Sequence, residues 1–402
     1  MKKILNFKIF VVTALILVVL GSSFIVSSVP DEIILFSGEK LELGRMFTAE
    51  ARTDSANVLR SGTFDYSDES YFADIKFFGV PVKTVKVDVI DAPKLIPCGN
   101  SIGVKLYTDG LIVVGVSNFP SEDGGIVSPG KNAGVKKGDV IHSVNGVSVD
   151  TPQKFASQVE ARNGGAVKIS LTRNGNNLDY AVTPSKDTTG KWKLGIWVRS
   201  SVAGIGTMTF YNPSTGTYGA LGHGISDGDT GMMVPVSRGE VLCAEISAVK
   251  KGERGIPGEL RGNFKKDSTI GAVESNTECG IYGRAPNFNP VRDAIPVASR
   301  SEICEGKAQI MCCIDGETVG TYEVEIQKIS HRKNAVTKCM VIKVTDPVLL
   351  EKTGGILQGM SGSPLIQNGK LIGAVTHVFV NDPTRGYGIF IENMLAEAEK
   401  VS

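Results

Sequence analysis

The hexapeptide Gly359-Met360-Ser361-Gly362-Ser363-Pro364 constrains this chain more than any other stretch. Glycines stand on both sides of a serine, and the segment opens onto an apolar run over residues 365–378, so the backbone has to turn tightly and then enter a strand. Such a turn leaves main-chain amides open to close approach. With Ser361 as a nucleophile, the amides of Gly359 and Ser361 can point into one small pocket and hold a tetrahedral oxyanion. A Gly/Ser-rich hairpin turn ahead of a strand explains the same six residues equally well, so other residues have to separate the two.

A nucleophilic serine needs a base, and the chain has four histidines, His142, His223, His331 and His377. His223 lies in Gly219-Ala220-Leu221-Gly222-His223-Gly224-Ile225-Ser226-Asp227, where small neighbours leave an imidazole accessible and packing explains it poorly. His331 reads as a residue of a solvated turn, His377 as a strand histidine, and His142 as part of a separate module. The orienting carboxylate stays open between two places. Asp346 stands fifteen residues before Ser361, at the end of an alternating apolar run. Asp227 and Asp229 follow His223 so closely that they equally suit a turn cap. The order His223, Asp346, Ser361 is that of chymotrypsin-type peptidases, and Ser363 stands where an α/β-hydrolase elbow needs glycine.

At 402 residues, 42% hydrophobic and 21% charged, the chain has room for two or three ordinary globular domains. The 47 glycines and 17 prolines favour turns and strands over helical bundles. Forty-three basic against forty-two acidic residues leave no net field to attract nucleic acid. Seven cysteines lack metal-ligand spacing, so neither a metal nor a cofactor is expected, and an odd number prevents complete intrachain pairing.

Lys2, Lys3 and Lys8 precede an uncharged apolar stretch over residues 9–29. At ~1.5 Å per residue this is enough to cross a hydrocarbon core of ~30 Å. Residues 1–29 are therefore expected to form an uncleaved signal-anchor, a transmembrane helix with the rest of the chain outside the cytoplasm. Residues 30–95 read as a β-rich connector, with alternation over 84–89 marking a half-buried strand. Its Ser/Thr/Asp/Asn-rich stretch, residues 51–67, is the expected self-cleavage region.

Residues 96–185 resemble a bacterial PDZ domain. The resemblance rests on strands expected over 102–107 and 111–116, then Ser128-Pro129-Gly130 opening a helical turn that ends at Gly134, a Gly138-Asp139 turn, the apolar strand Val140-Ile141-His142-Ser143-Val144 and an Asn145-Gly146 hairpin turn. A second helix over 152–162 places Phe155 and Val159 on one face. The resemblance implies a groove that takes an extended peptide as an added strand, with a carboxylate-binding loop over 99–103. Ser101, Ile102, Gly103 and Val104 are expected to line it opposite Phe155 and Val159.

The run Gly204-Ile205-Gly206-Thr207-Met208-Thr209-Phe210-Tyr211-Asn212-Pro213, together with residues 219–227 and 358–364, resembles the stage IV sporulation protein B peptidase family of endospore-forming bacteria. The likeness extends over most of the chain. It implies a mainly β fold in which the PDZ domain is followed by a chymotrypsin-like double β-barrel over 190–402. It also implies His223, Asp346 and Ser361 as catalytic residues, with Gly359 and Ser361 forming the oxyanion hole. The implied setting is the space between the forespore inner and outer membranes. There such a protein would cleave its own N-terminal segment and then a membrane-bound regulator of an intramembrane protease, activating sigma-K. Met360 stands where secreted digestive enzymes place an aspartate that receives a newly cut N-terminus, so activation by that route is not expected. The rival reading is a catalytically inactive PDZ scaffold, against which the serine, the histidine and their glycines together argue.

Overall fold

In the computed structural model, residues 29, 32–36, 41, 47–51, 70–330 and 336–401 are described, and they are mainly β. The expected membrane helix lies outside these residues apart from Val29. So do His331 and most of the expected self-cleavage region. Among the described residues no helix is long and apolar enough to cross a membrane.

The chain forms two compact units, residues 1–93 and 94–402. In the first, four strands lie in the order Glu32–Phe36, Val80–Ile90, Tyr71–Phe77, Phe47–Ala51. The alternation read from the sequence sets the faces: Val85 and Val87 are fully buried with Ala73 and Ile75, while Lys86 stays half-buried on the other side.

The second unit is held together by two long strands, Ser101–Val116 and Ile196–Tyr211, which pair antiparallel along nearly their whole length. The two strands expected over 102–107 and 111–116 are thus one. At one end these strands carry the PDZ core, where Leu111, Val113, Ile141, Val144 and Ile169 are buried with Phe155 and Val159 of the helix Pro152–Glu160. The Gly138-Asp139 turn is fixed by the buried Asp139 carboxylate. It accepts from the Lys136 amide at 2.8 Å and pairs with the Arg173 guanidinium at 2.6 Å. His142 is structural, bonded through Nε2 to Thr172 Oγ1 at 2.8 Å.

At their other end the same strands join Thr217–Ala220, Gly280–Arg284, Arg238–Lys250 and Glu259–Val273 around Ile102, Val104, Leu106, Met208, Tyr218 and Ile281. The first half of the expected double barrel is therefore not a separate closed barrel, because its sheet continues into the PDZ module. The second half does close. Gly306–Asp315, Thr318–Ile329, Met340–Val344, Asp382–Phe390, Lys370–Phe379 and Pro364–Gln367 form a six-stranded barrel filled by Ile310, Ile342, Leu365, Val375 and Ile389. Cys98, Cys243, Cys279, Cys304, Cys312 and Cys313 are free thiols.

Candidate active site

Gly359 and Gly362 adopt φ of +98° and +94°, a region that an L side chain enters only with strain. A Cβ on Gly362 would also run into the Thr207 carbonyl. Between them Met360 is fully buried, its sulfur accepting from the Leu357 amide at 3.3 Å. Along this loop the amides of Gln358, Met360, Gly362 and Ser363 all donate to carbonyls. Among the described residues those of Gly359 and Ser361 have no acceptor. Two free amides on one tight turn are what an oxyanion would need. Ser363 is fully buried, which removes it as an alternative nucleophile.

The strand Ile196–Tyr211 clamps the loop from below. Thr207 donates from its amide to the Ser361 carbonyl at 3.0 Å and from Oγ1 to the Gly359 carbonyl at 2.9 Å. Thr209 Oγ1, wholly buried, donates to the Gly362 carbonyl at 2.7 Å. The sequence reading missed both threonines, since nothing local to them marks a partner some 150 residues on.

Ser361 and His223 line one cavity of about 510 Å³ together with Gly359 and His377. Ser361 Oγ donates to the Thr376 carbonyl at 2.8 Å. His223 Nδ1 lies 2.9 Å from the Gly224 carbonyl. A carbonyl can only accept, so this contact places the proton on Nδ1 and leaves Nε2 as the basic nitrogen. Burial pushes the His223 pKa below 6.5, so the ring is neutral and able to take a proton near neutral pH. His377, a strand histidine as expected, has its ring centroid 4.9 Å from that of His223. Burial, then repulsion from His223 and Lys338, lowers it to about 4.

Asp346 is not brought to this cavity. Its carboxylate caps the helix Pro347–Thr353, accepting from the Val348 and Leu349 amides at 2.9 and 3.0 Å and from Glu323 N at 3.3 Å. This departs from the expectation that it orients His223, because both oxygens are already committed to backbone amides. Asp227 is committed too. Arg199 pairs with it at 2.7 Å, and the Asp229 and Thr230 amides donate to it. Burial raises its pKa, but the Thr230 and Arg199 hydrogen bonds outweigh that and hold it below the usual carboxylate value. Among the described residues no cluster of His, Cys, Asp and Glu could hold a metal ion.

Residues 190–395 match the SpoIVB peptidase S55 family, and residues 125–173 match a PDZ domain. The chain belongs to the SpoIVB peptidase S55 family. A probable periplasmic serine endoprotease DegP-like protein of Rhizobium meliloti (strain 1021) is 40% identical over 63 residues, 14% of this chain and 12% of its own length. The chain thus spans about an eighth of that curated relative. Among solved structures, the inactive form of the Rv3671c protease from M. tuberculosis is 16% identical and covers 49% of this chain and 84% of its own, with a TM-score of 0.30. The PDZ domain of an SdrC-like protein from Listeria monocytogenes is 23% identical and covers 22% and 87%, with a TM-score of 0.19.

In this S55 peptidase the PDZ groove is not where the sequence placed it. Phe155 and Val159 do line a groove of about 390 Å³, but the backbone across from them is Leu194-Gly195-Ile196-Trp197-Val198. Ser101, Ile102, Gly103 and Val104 lie in the peptidase half instead. Strands pair with them on both sides, Ile196–Tyr211 on one and Arg238–Lys250 on the other, so no edge is left for a peptide. A side chain on Gly103 would meet the Phe264 ring, and Val104 lines the cavity of Ser361 and His223.

Proposed function

We propose that this chain is an exported serine endopeptidase, anchored by its N-terminal apolar segment, in which Ser361 is the nucleophile and His223 the general base. The observation that carries the reading is the meeting of His223 and Ser361 in one cavity beside two amides, of Gly359 and Ser361, that have no other acceptor among the described residues. In the proposed reaction Ser361 Oγ leaves the Thr376 carbonyl and attacks the scissile carbonyl while His223 Nε2 takes its proton. The amides hold the oxyanion, and the imidazolium returns the proton to the leaving amine. The Gly224 carbonyl does the orienting work expected of a carboxylate. No cofactor enters the scheme.

The family suggests the biological targets: first the chain's own segment near residues 51–67, then a membrane-bound regulator of an intramembrane protease in the space between the forespore membranes, leading to sigma-K activation. The PDZ groove would hold such extended segments.

The test is labelling of the purified chain with a fluorophosphonate, followed by mapping of the modified peptide. Label on Ser361 is expected, lost in Ser361→Ala and His223→Ala, with the double variant no worse than either single one. An unlabelled, well-folded wild-type chain would leave a PDZ scaffold without catalysis.

A further inference from the structure

Along the cavity the strand Ile196–Tyr211 is paired on one edge only. Between Ser201 and Thr207 it runs antiparallel to residues 101–107 in regular register, and among the described residues no strand takes its other edge there. The direction of that free edge is set by Thr207, whose amide points away from the partner strand and donates to the Ser361 carbonyl. Main-chain groups alternate along a strand, so Ile205 and Ala203 present their N–H and C=O on the same side as the nucleophile loop. Ala203 and Gly204 are exposed, and both line the cavity with Ser361.

Two further observations describe what such an edge can accept. The side chains around it include Val202, Ile205, Leu221, Ile225, Leu357 and Val380, and among the described residues no carboxylate, ammonium or guanidinium group lines the cavity. A charged substrate residue entering it would lose water and find no partner. Gly204 is the second. A Cβ built there meets nothing within 4 Å, whereas two residues on, at Gly206, it would collide with Leu221. The space beside Gly204 is therefore open.

We propose that the substrate enters as an extended strand on this free edge, bonded to the main chain of Ala203 and Ile205, and that the residue it seats beside Gly204 is an uncharged aliphatic one whose size Gly204 permits. The assignment rests on the serine-peptidase reading for its chemistry, but its recognition step can be measured without turnover.

Full-length Ser361→Ala is titrated with a labelled, valine- and leucine-rich peptide, amidated at its C-terminus so that a carboxylate-recognising PDZ groove does not capture it. Versions with Lys or Asp at each position in turn are compared. At one position or more, either charge should weaken binding about tenfold or more, while aliphatic exchanges change it only a few-fold. Adding Gly204→Leu should weaken the peptide that carries Val or Leu at that position about tenfold, and one that carries Gly there far less. Equal binding of the charged versions at every position overturns the proposal. So does a Gly204→Leu loss that is the same for the large and the small residue. A wild-type chain that takes no fluorophosphonate while the aliphatic preference persists would remove the peptidase reading and leave the cleft as a peptide-binding site.

Discussion

Asp346 marks the difference between a residue type that suits a role and a residue free to perform it. Its carboxylate is half-buried and satisfied by three backbone amides, with Pro347 at the first helical position. Asp346→Ala is expected to cost about 0.5–2 kcal/mol, the ordinary loss of a helix cap. Asn should cost much less, since it caps nearly as well as Asp. Urea denaturation and fluorophosphonate labelling, measured on the same preparations, check this. A loss of labelling by several orders of magnitude in Asp346→Asn with an unchanged unfolding midpoint would return Asp346 to the catalytic group. That Ser361 and His223 would meet was legible from the two together, a serine turn and the one histidine of four set among small residues, and not from either alone. The cap was missed, although Asp ahead of Pro is a helix-start signal. What a single sequence could not tell was which of the two jobs the aspartate does, because that depends on which amides the fold brings within 3 Å.

The strand Ile196–Tyr211 does two jobs along its length. Its first residues face the helix Pro152–Glu160 across the PDZ groove, and its last third holds the nucleophile loop. Thr209→Val keeps the shape but removes the donor to the Gly362 carbonyl in a fully buried place. It should lower stability by about 1–3 kcal/mol, the cost of a buried acceptor left unpaired, and slow labelling of Ser361. Chemical denaturation and labelling rate measured side by side test this. A variant with wild-type stability and labelling would show that the loop holds itself. Helix, turns and the alternating strand of the PDZ module were readable locally, but the groove was not. Leu194-Gly195-Ile196 comes after the module's last strands and looked like the start of the next domain. Gly195 has φ +70° and packs where a Cβ would meet Phe119 and the Ser117 carbonyl, a close approach visible only in three dimensions.

For residues 94–402, the sequence boundary near 190 is not a structural one. A peptidase taken as residues 190–402 would lack Lys94–Pro97 and Ser101–Val116, and so lose the strand that carries the core residues Ile102, Val104 and Leu106. That piece is expected to be insoluble or unfolded, whereas residues 94–402 should fold. The larger piece should also melt in one transition. The chain's two tryptophans, Trp192 and Trp197, both line the PDZ groove, so their fluorescence reports that end alone. Fluorescence and Ser361 labelling should therefore be lost at the same urea concentration. Two separated midpoints would mean that the shared strands do not couple the ends.

The register also fixes where the PDZ module leaves the sheet and where it returns. Val116 and Ile196 lie opposite one another, at the two ends of paired strands, with the body of the PDZ module strung between them. In topology the module is a loop grown at the tip of a hairpin, so the chain leaves the shared sheet and returns to it at adjoining points. Strain or ligand at the tip has a direct covalent path down both strands, and the Ser361 loop rests on the stem of one of them.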